Sequence, residues 1–386
     1  MKRLPLFVTA FISATCIAQT VPDSLTTNPQ VQQNTAQRIL SSNENSKLTI
    51  GGYGEIYYKQ PEGKNGSLNA ERVVLFLGYK FNERTQFVTE IEIEDAKKLE
   101  LEQAFLQYSL NDNINVRGGL MLVPMGIINE YHEPTTFNSV LRPSSDRSIV
   151  PTTWREIGVG VSGKFNKASL RYQAYLFNGF ASINHDGEAL GGINGLRNGR
   201  QEGVDAIIST PSFAAKLDYY GLPGLRLGLS GYVGRSQASD DFENVDGTTV
   251  GISMLGADAR YAYQRFMARG QFIYAHVNDS EDYNTLYETD LGSALQGWYL
   301  EGAYNLLSMT KKQQLYAFAR FEDFNTQASI EGDLVANKAY DRNEWTFGLS
   351  YKIATGAVVK ADYQLKANDT NKDIPNQLNI GLGVSF

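Results

Sequence analysis

From Leu48 to Phe386 the chain alternates apolar and polar residues, and no mature segment holds eighteen consecutive apolar ones. Such a chain has no transmembrane helix, but a spanning β-strand needs only about 9–11 alternating residues. In "LTIGGYGEIYY" Leu48, Ile50, Gly52, Gly54, Ile56 and Tyr58 share one face. In "RVVLFLGYKF" Val73, Leu75, Leu77, Tyr79 and Phe81 share one face, and Arg72, Val74, Phe76 and Gly78 take the other. A period of two marks strands with two different faces.

Sixteen such segments are legible: 48–58, 69–81, 84–95, 98–110, 113–123, 154–165, 168–178, 212–220, 224–236, 250–263, 266–277, 295–305, 313–325, 343–354, 356–367 and 376–386. Segment 98–110, "LELEQAFLQYSL" with its flanks, permits either register, and 212–220 is the poorest in apolar residues. Short and long connections alternate along the chain, with one short exception at 96–97. Asn65-Gly66, Asp186-Gly187 and Asp246-Gly247 mark long connections as turn-rich loops. Short turns on one side, long loops on the other and an even strand count are the pattern of an all-β transmembrane antiparallel barrel. Lipid offers the backbone no hydrogen bonds, so the sheet over 48–386 must close on itself. Sixteen strands enclose a lumen too wide for side chains to fill.

The polar faces agree with a wet interior. Arg72, Arg117, Arg171, Arg226, Arg260, Arg269, Arg320 and Lys360, with Glu90 and Glu92, fall at alternating positions expected on the pore wall. So many charges cannot face an apolar core. The slightly negative mean hydropathy of −0.31 suggests a soluble protein only if both strand faces meet water.

Residues 1–18, with Lys2 and Arg3 before an apolar run and small residues ending at Ala18, read as a signal peptide for Sec export. The alternative is a lipoprotein signal using Cys16. Cleavage after Ala18 removes the single cysteine and leaves no disulfide framework. It also removes two basic residues, leaving 33 basic against 42 acidic and a net charge of −9. A chain this acidic has no general attraction to nucleic acid. Residues 19–47 are rich in Asn, Gln, Ser and Thr and read as a flexible periplasmic segment, with a short helix permitted near Val31–Leu40. At the other end Leu378, Ile380, Leu382, Val384 and Phe386 face one way. A terminal aromatic there resembles the signal read by the outer-membrane barrel assembly machinery.

The alternation breaks for about thirty residues at "PMGIINEYHEPTTFNSVLRPSSDRSIVPTTW", Pro124 to Trp154. Parity places residues 124–153 on the extracellular side, after the fifth strand. Pro124, Pro134, Pro143 and Pro151 suit a loop that folds into the lumen and keeps one shape there. Glu130, His132, Glu133, Arg142 and Arg147 are its candidate constriction residues.

"RGGLMLVPMGIINEYHEPTTF…RP…WREIGVGVSGKF" resembles the phosphate-selective porin O and P family, in the form found in Bacteroidota. Gly119, Pro124, Gly126, Arg142, Arg155, Gly158 and Gly163 carry the likeness, with "LEQAFLQYSL" before them. It is strongest over roughly residues 48–180. The resemblance implies a sixteen-stranded, trimeric outer-membrane porin of a Gram-negative cell with its third loop in the pore. Phosphate-selective members share an arginine ladder and a lysine ring, whereas the third loop here contains no lysine.

Enzymatic signals are weaker. Glu130, His132 and Glu133 could suggest a metal or acid–base site, but a catalytic metal usually needs three protein ligands. His185 and His276 are the other histidines, and no G-x-S-x-G elbow accompanies any of the three. "GGINGLRNG" lacks the Gly-Lys-Ser/Thr ending of a phosphate loop and reads as a flexible external loop. "EIEIED" is expected to line the lumen or pair with arginines. The sequence therefore predicts no catalysis and no cofactor. It predicts a water-filled channel for ions and small polar solutes, with anions such as phosphate among them, in contact with outer-membrane lipid and lipopolysaccharide. The alternatives are a surface receptor or adhesin using the long loops, or a barrel enzyme.

Overall fold

The computed structural model describes residues 32–42, 46–239, 245–370 and 374–386. The signal-peptide assignment, 1–18, lies outside the described residues. Sixteen antiparallel strands follow in chain order: β1 Leu48–Pro61, β2 Ser67–Lys80, β3 Thr85–Glu94, β4 Lys98–Asn111, β5 Ile114–Leu122, β6 Arg155–Phe165, β7 Leu170–Phe177 and β8 Ser212–Tyr219. The second half is β9 Leu225–Arg235, β10 Gly251–Tyr263, β11 Phe266–Asn278, β12 Ala294–Asn305, β13 Gln314–Ser329, β14 Asp341–Ala354, β15 Ala357–Asn368 and β16 Gln377–Ser385. Each pairs with its neighbours in sequence, and β1 closes on β16 from Tyr53 opposite Ser385 to Pro61 opposite Gln377. Beyond β16, Phe386 N donates to Gly52 O at 2.9 Å and Gly52 N to Phe386 O at 3.0 Å. Closure leaves no sheet edge, which a sheet in lipid requires.

The period of two becomes an inside and an outside. On β10, Ile252, Met254, Asp258 and Arg260 are buried in the lumen while Leu255 is exposed. Leu229, Leu300, Leu349 and Leu382 are exposed in the same outward sense. Exposed Phe81, Phe165, Tyr263, Phe266 and Tyr304 lie at the short-turn ends of their strands, and Trp298 and Trp345 lie toward the long-loop ends. An apolar band between aromatic girdles is the surface of a membrane-spanning barrel. Leu300 lies near the middle of β12 and is 59% exposed. Leu300→Arg is expected to cost about 2–4 kcal/mol at the bilayer midplane. Urea unfolding in lipid vesicles measures it, with Leu300→Ala as the control.

The two registers open to segment 98–110 are both used. Leu99 and Leu101 face out, and so do Leu106, Tyr108 and Leu110. The switch is a β-bulge: Glu90 pairs with Gln103 and Ile91 with Leu101, so Glu102 is the extra residue. A bulge inserts one residue and re-aims its side chain. Glu102 and Gln103 are consequently both buried.

Three expectations about the loops are corrected. Part of the segment read as flexible and periplasmic, 19–47, is an ordered plug. Asn34 caps helix α1, Thr35–Ser41, by accepting from Gln37 N, and the helix packs against β1, β2 and β3 inside the barrel. The cause is legible in two inward glycines. A Cβ on Gly51 would lie 2.8 Å from Thr35 Cγ2, and one on Gly78 would lie 2.1 Å from Ile39 Cγ2. Glycine in a strand often marks such close approach. Secondly, the β11–β12 loop carries a helix, Ser280–Tyr287, rather than turns alone. Thirdly, "GGINGLRNG" is not a free external loop. Leu190 and Leu196 are fully buried, and Leu196 N donates to Ser148 O at 3.1 Å.

Candidate functional site

Loop L3, residues 123–154, leaves β5 and re-enters β6 through a closed neck. Val123 N donates to Trp154 O at 3.0 Å, and Trp154 N donates to Asn129 Oδ1 at 2.7 Å. Gly119 (φ +135°) and Gly126 (φ +66°) supply the backbone conformations of this entry. A Cβ at Gly126 would lie 2.7 Å from Gln271 Oε1, the atom that accepts Ile127 N at 2.6 Å. Gly158 on β6 lies close to Phe177, and Arg155 binds Glu100 at 2.5 Å, so the motif residues build the root of the loop. Pro124 is buried there.

From that root L3 crosses the lumen and meets the far wall. Asn138 Nδ2 donates to Glu301 Oε1 on β12 at 2.8 Å. Arg320 on β13 donates to Ser139 Oγ at 2.5 Å, and Lys360 on β15 to Ser139 O at 2.9 Å. Val140 N donates to Asp362 Oδ2 at 2.5 Å, and Ser144 Oγ to Glu344 Oε2 at 3.0 Å. A short helix in L3, α2 (Ser145–Ser148), holds Asp146, whose Oδ1 accepts from Gln271 Nε2 at 2.6 Å. Burial pushes the Asp146 carboxyl up to about 7 despite that bond.

The expected constriction residues divide in two. Glu130, His132 and Glu133 are buried in contacts, Arg142 is half-buried and Arg147 is exposed. Glu130 accepts from Lys216 Nζ on β8 at 2.7 Å and from Gln173 Nε2 at 2.6 Å. Burial raises the Glu130 carboxyl, but Lys216 outweighs it and holds it below the usual carboxylate range. Glu133 accepts from Thr35 N at 2.5 Å, and Arg38 lies 3.8 Å away. Arg142 donates to His132 O at 3.3 Å. Arg142 and Arg147 are thus the loop charges still offered to solvent.

The plug closes the space below L3. Asn34 Nδ2 donates to Glu130 O at 2.7 Å. Arg171 on β7 donates to Gln37 Oε1 at 3.1 Å, and Arg260 on β10 donates to Gln32 Oε1 at 3.3 Å. The sequence reading places Gln32, Asn34 and Gln37 in a periplasmic segment outside the barrel. Their signal was the pair Gly51 and Gly78.

Most of the residues expected on the wall are paired. Arg72 binds Glu55 at 2.8 Å and Glu92 at 3.2 Å. Arg117 donates to Gln107 at 2.7 Å, and Arg226 binds Asp218 at 2.7 Å. Arg269 binds Glu301 at 3.0 Å, and Arg320 binds Glu322 at 2.9 Å. Lys360 Nζ stands 3.8 Å over the Phe137 ring. Across adjacent strands Arg226 faces Arg260 and Arg260 faces Arg269. Arg260 stacks on Tyr131 at 4.4 Å, and its Nε and Nη2 make no hydrogen bond among the described residues. A cavity of about 30 Å³ lies here, between Tyr131, Arg260, Arg269 and Glu301. That suffices for a water.

On the opposite wall His132 meets Tyr53, Glu90 and Glu102. Its Nε2 lies 3.0 Å from Tyr53 Oη and 3.6 Å from each carboxylate, while its Nδ1 lies 3.0 Å from Asn129 O. Burial lowers the imidazole, but Glu102 and then Glu90 overcome it and raise it to about 10. The expected neighbours Glu130 and Glu133 are not its partners. Glu102, Tyr53 and Lys216 were missed as site residues, because cross-strand register and the bulge decide where they point.

Fold and lumen together define a sixteen-stranded transmembrane barrel with an in-folded third loop. No family model matches the chain. An uncharacterized protein of Aquifex aeolicus (strain VF5) is 33% identical over 351 residues, 84% of this chain and 77% of that protein. The chain belongs to one family with it. Among solved structures, the Salmonella typhi OmpF complex with daunomycin is similar at TM-score 0.60 and 11% identity, over 88% of this chain and 97% of that one. The outer membrane channel DcaP of Acinetobacter baumannii is similar at 0.58 and 12%, over 88% and 97%. A trimer form of OmpT, an outer membrane protein of Vibrio cholerae, gives 0.56 and 14%, over 88% and 99%. At such identities the likeness is one of fold.

Proposed function

We propose that the protein is an outer-membrane porin, passing ions and small polar solutes by passive diffusion through a lumen narrowed by L3. The observation that carries this is the loop's course. L3 is pinned to the far wall by Asn138, Ser139 and Val140, within a lumen whose walls carry charges of both signs. Arg226, Arg269 and Arg320 pair with Asp218, Glu301 and Glu322, and Arg72 pairs with Glu55 and Glu92. A narrowed lumen lined in this way selects by size and charge. No chemical step is needed.

Discrete open steps from purified protein in planar bilayers are the expected result. A folded but silent barrel would overturn the porin reading and favour a receptor using the long loops. The channel is weakly selective in this proposal. Arg260 attracts anions, phosphate included, but Arg226, Arg269 and Arg320 are paired with acids and L3 supplies no lysine. Reversal potentials should therefore separate phosphate from chloride only slightly, and a tight phosphate block would contradict that. Sec export, insertion by the assembly machinery through Phe386, contact with lipopolysaccharide and a homotrimer complete the proposal. The trimer form of the Vibrio cholerae neighbour supports the last.

A further inference from the structure

We propose that Glu90, Glu102 and His132, with Tyr53 as a fourth donor, form a site for one divalent cation of the zinc class that staples L3 to the β3–β4 wall. The three side chains are buried, and one donor atom from each lies within 4.8 Å of the others. A tetrahedral ion with bonds of ~2.1 Å has donor atoms about 3.4 Å apart. Here His132 Nε2 is 3.6 Å from Glu90 Oε1 and 3.6 Å from Glu102 Oε1. Tyr53 Oη is 3.0 Å from His132 Nε2, 3.1 Å from Glu90 Oε1 and 3.2 Å from Glu102 Oε2. The His132 and Tyr53 distances are close to that spacing, and the two carboxylates lie within 4.8 Å of each other.

Three further observations point to a ligand rather than a closed hydrogen-bond network. Glu102 is fully buried, yet its Oε1 accepts no hydrogen bond among the described residues. Its inward aim comes from the β4 bulge, a device that re-aims side chains. Apart from the His132 imidazole itself, positive charge is also short. Arg72 is engaged by Glu55 and Glu92, and among the described residues no lysine or arginine lies within 4.0 Å of Glu90 or Glu102. Glu90 has neutral Gln103 and Tyr53 instead. Finally, Asn129 O, 3.0 Å from His132 Nδ1, accepts the Nδ1 proton and leaves Nε2 to face the carboxylates. Metal-bound histidines are usually oriented in this way by an outer partner. Binding releases any Nε2 proton to solvent. Two carboxylates and an imidazole suit zinc better than calcium or magnesium.

The test uses the folded full-length protein in detergent, equilibrated with zinc chloride, freed of unbound metal and analysed for metal content. About one zinc per chain is expected, with a large loss in both His132→Gln and Glu102→Gln. Cobalt(II) in place of zinc should give the intense visible bands of a tetrahedral site. Heat-modifiable gel migration confirms that each variant is folded. Retention of only trace metal by the folded native protein would overturn the proposal, even if the variants fail to fold. Equal retention by folded variants, or an octahedral cobalt spectrum, would overturn it too.

Discussion

Arg320→Ala should destabilise the barrel by on the order of 3–5 kcal/mol, as breaking a buried ion pair does. Arg320 is fully buried, and it ties together two strands and the loop. Its Nε donates to Glu322 Oε1 at 2.9 Å, and its Nη1 reaches Ser139 Oγ at 2.5 Å and Glu301 Oε2 at 3.5 Å. After truncation Glu301 keeps Arg269 and Asn138. Among the described residues Glu322 keeps only a long hydrogen bond from Ser145 N at 3.4 Å. The cost is thus chiefly a stranded carboxylate, so Arg320→Ala with Glu322→Gln should recover much of it. Urea midpoints for the four members of that cycle measure the effect. The single variant should also loosen L3, because Ser139 loses its anchor.

Trp154→Ala is expected to cost about 3–5 kcal/mol for a large buried aromatic. Trp154 is fully buried, stacked on Phe180 at 4.3 Å and against Tyr232 at 5.0 Å. Its Nε1 donates to Glu156 Oε1 at 3.1 Å. The ring joins the neck of L3 to the following long loop, whose Arg197 and Arg200 donate to Thr152 O and Thr153 O at 2.6 and 3.1 Å. Its removal leaves a cavity, while Glu156 keeps Asn178 Nδ2 at 2.6 Å and Gln201 N at 3.3 Å. Trp154→Phe keeps most of the stacking but not the donor, and should lose clearly less. The same unfolding measurement separates the two.

The strands were legible because their signal is local. Alternation such as Val73, Leu75, Leu77 needs no partner to be read, and the segments match β1 to β16 to within a few residues at each end. The ambiguity over 98–110 was itself a structural fact. Leu101 and Leu106 belong to opposite registers because Glu102 is bulged between them. The prolines of Pro124–Trp154 mark a break in the strand pattern, and the segment joins β5 to β6. What the loop touches was not legible. His132 finds Glu90 and Glu102 through the curvature of the wall rather than through its neighbours in "NEYHEP". The polar stretch around Asn34 looked flexible because its apolar contacts, Ala36 and Ile39, are too few to show a period. They are buried only because Gly51 and Gly78 make room.

In the proposed porin the lumen conducts and is narrowed by L3 and by the plug beneath it. Single-channel recording of the native protein beside a chain lacking residues 19–46, both confirmed as folded, tests it most directly. The expected result is discrete steps from the native barrel and larger steps from the shortened chain, since α1 and the Gln32–Arg260 contact leave the lumen. Silence from both folded barrels would contradict the claim.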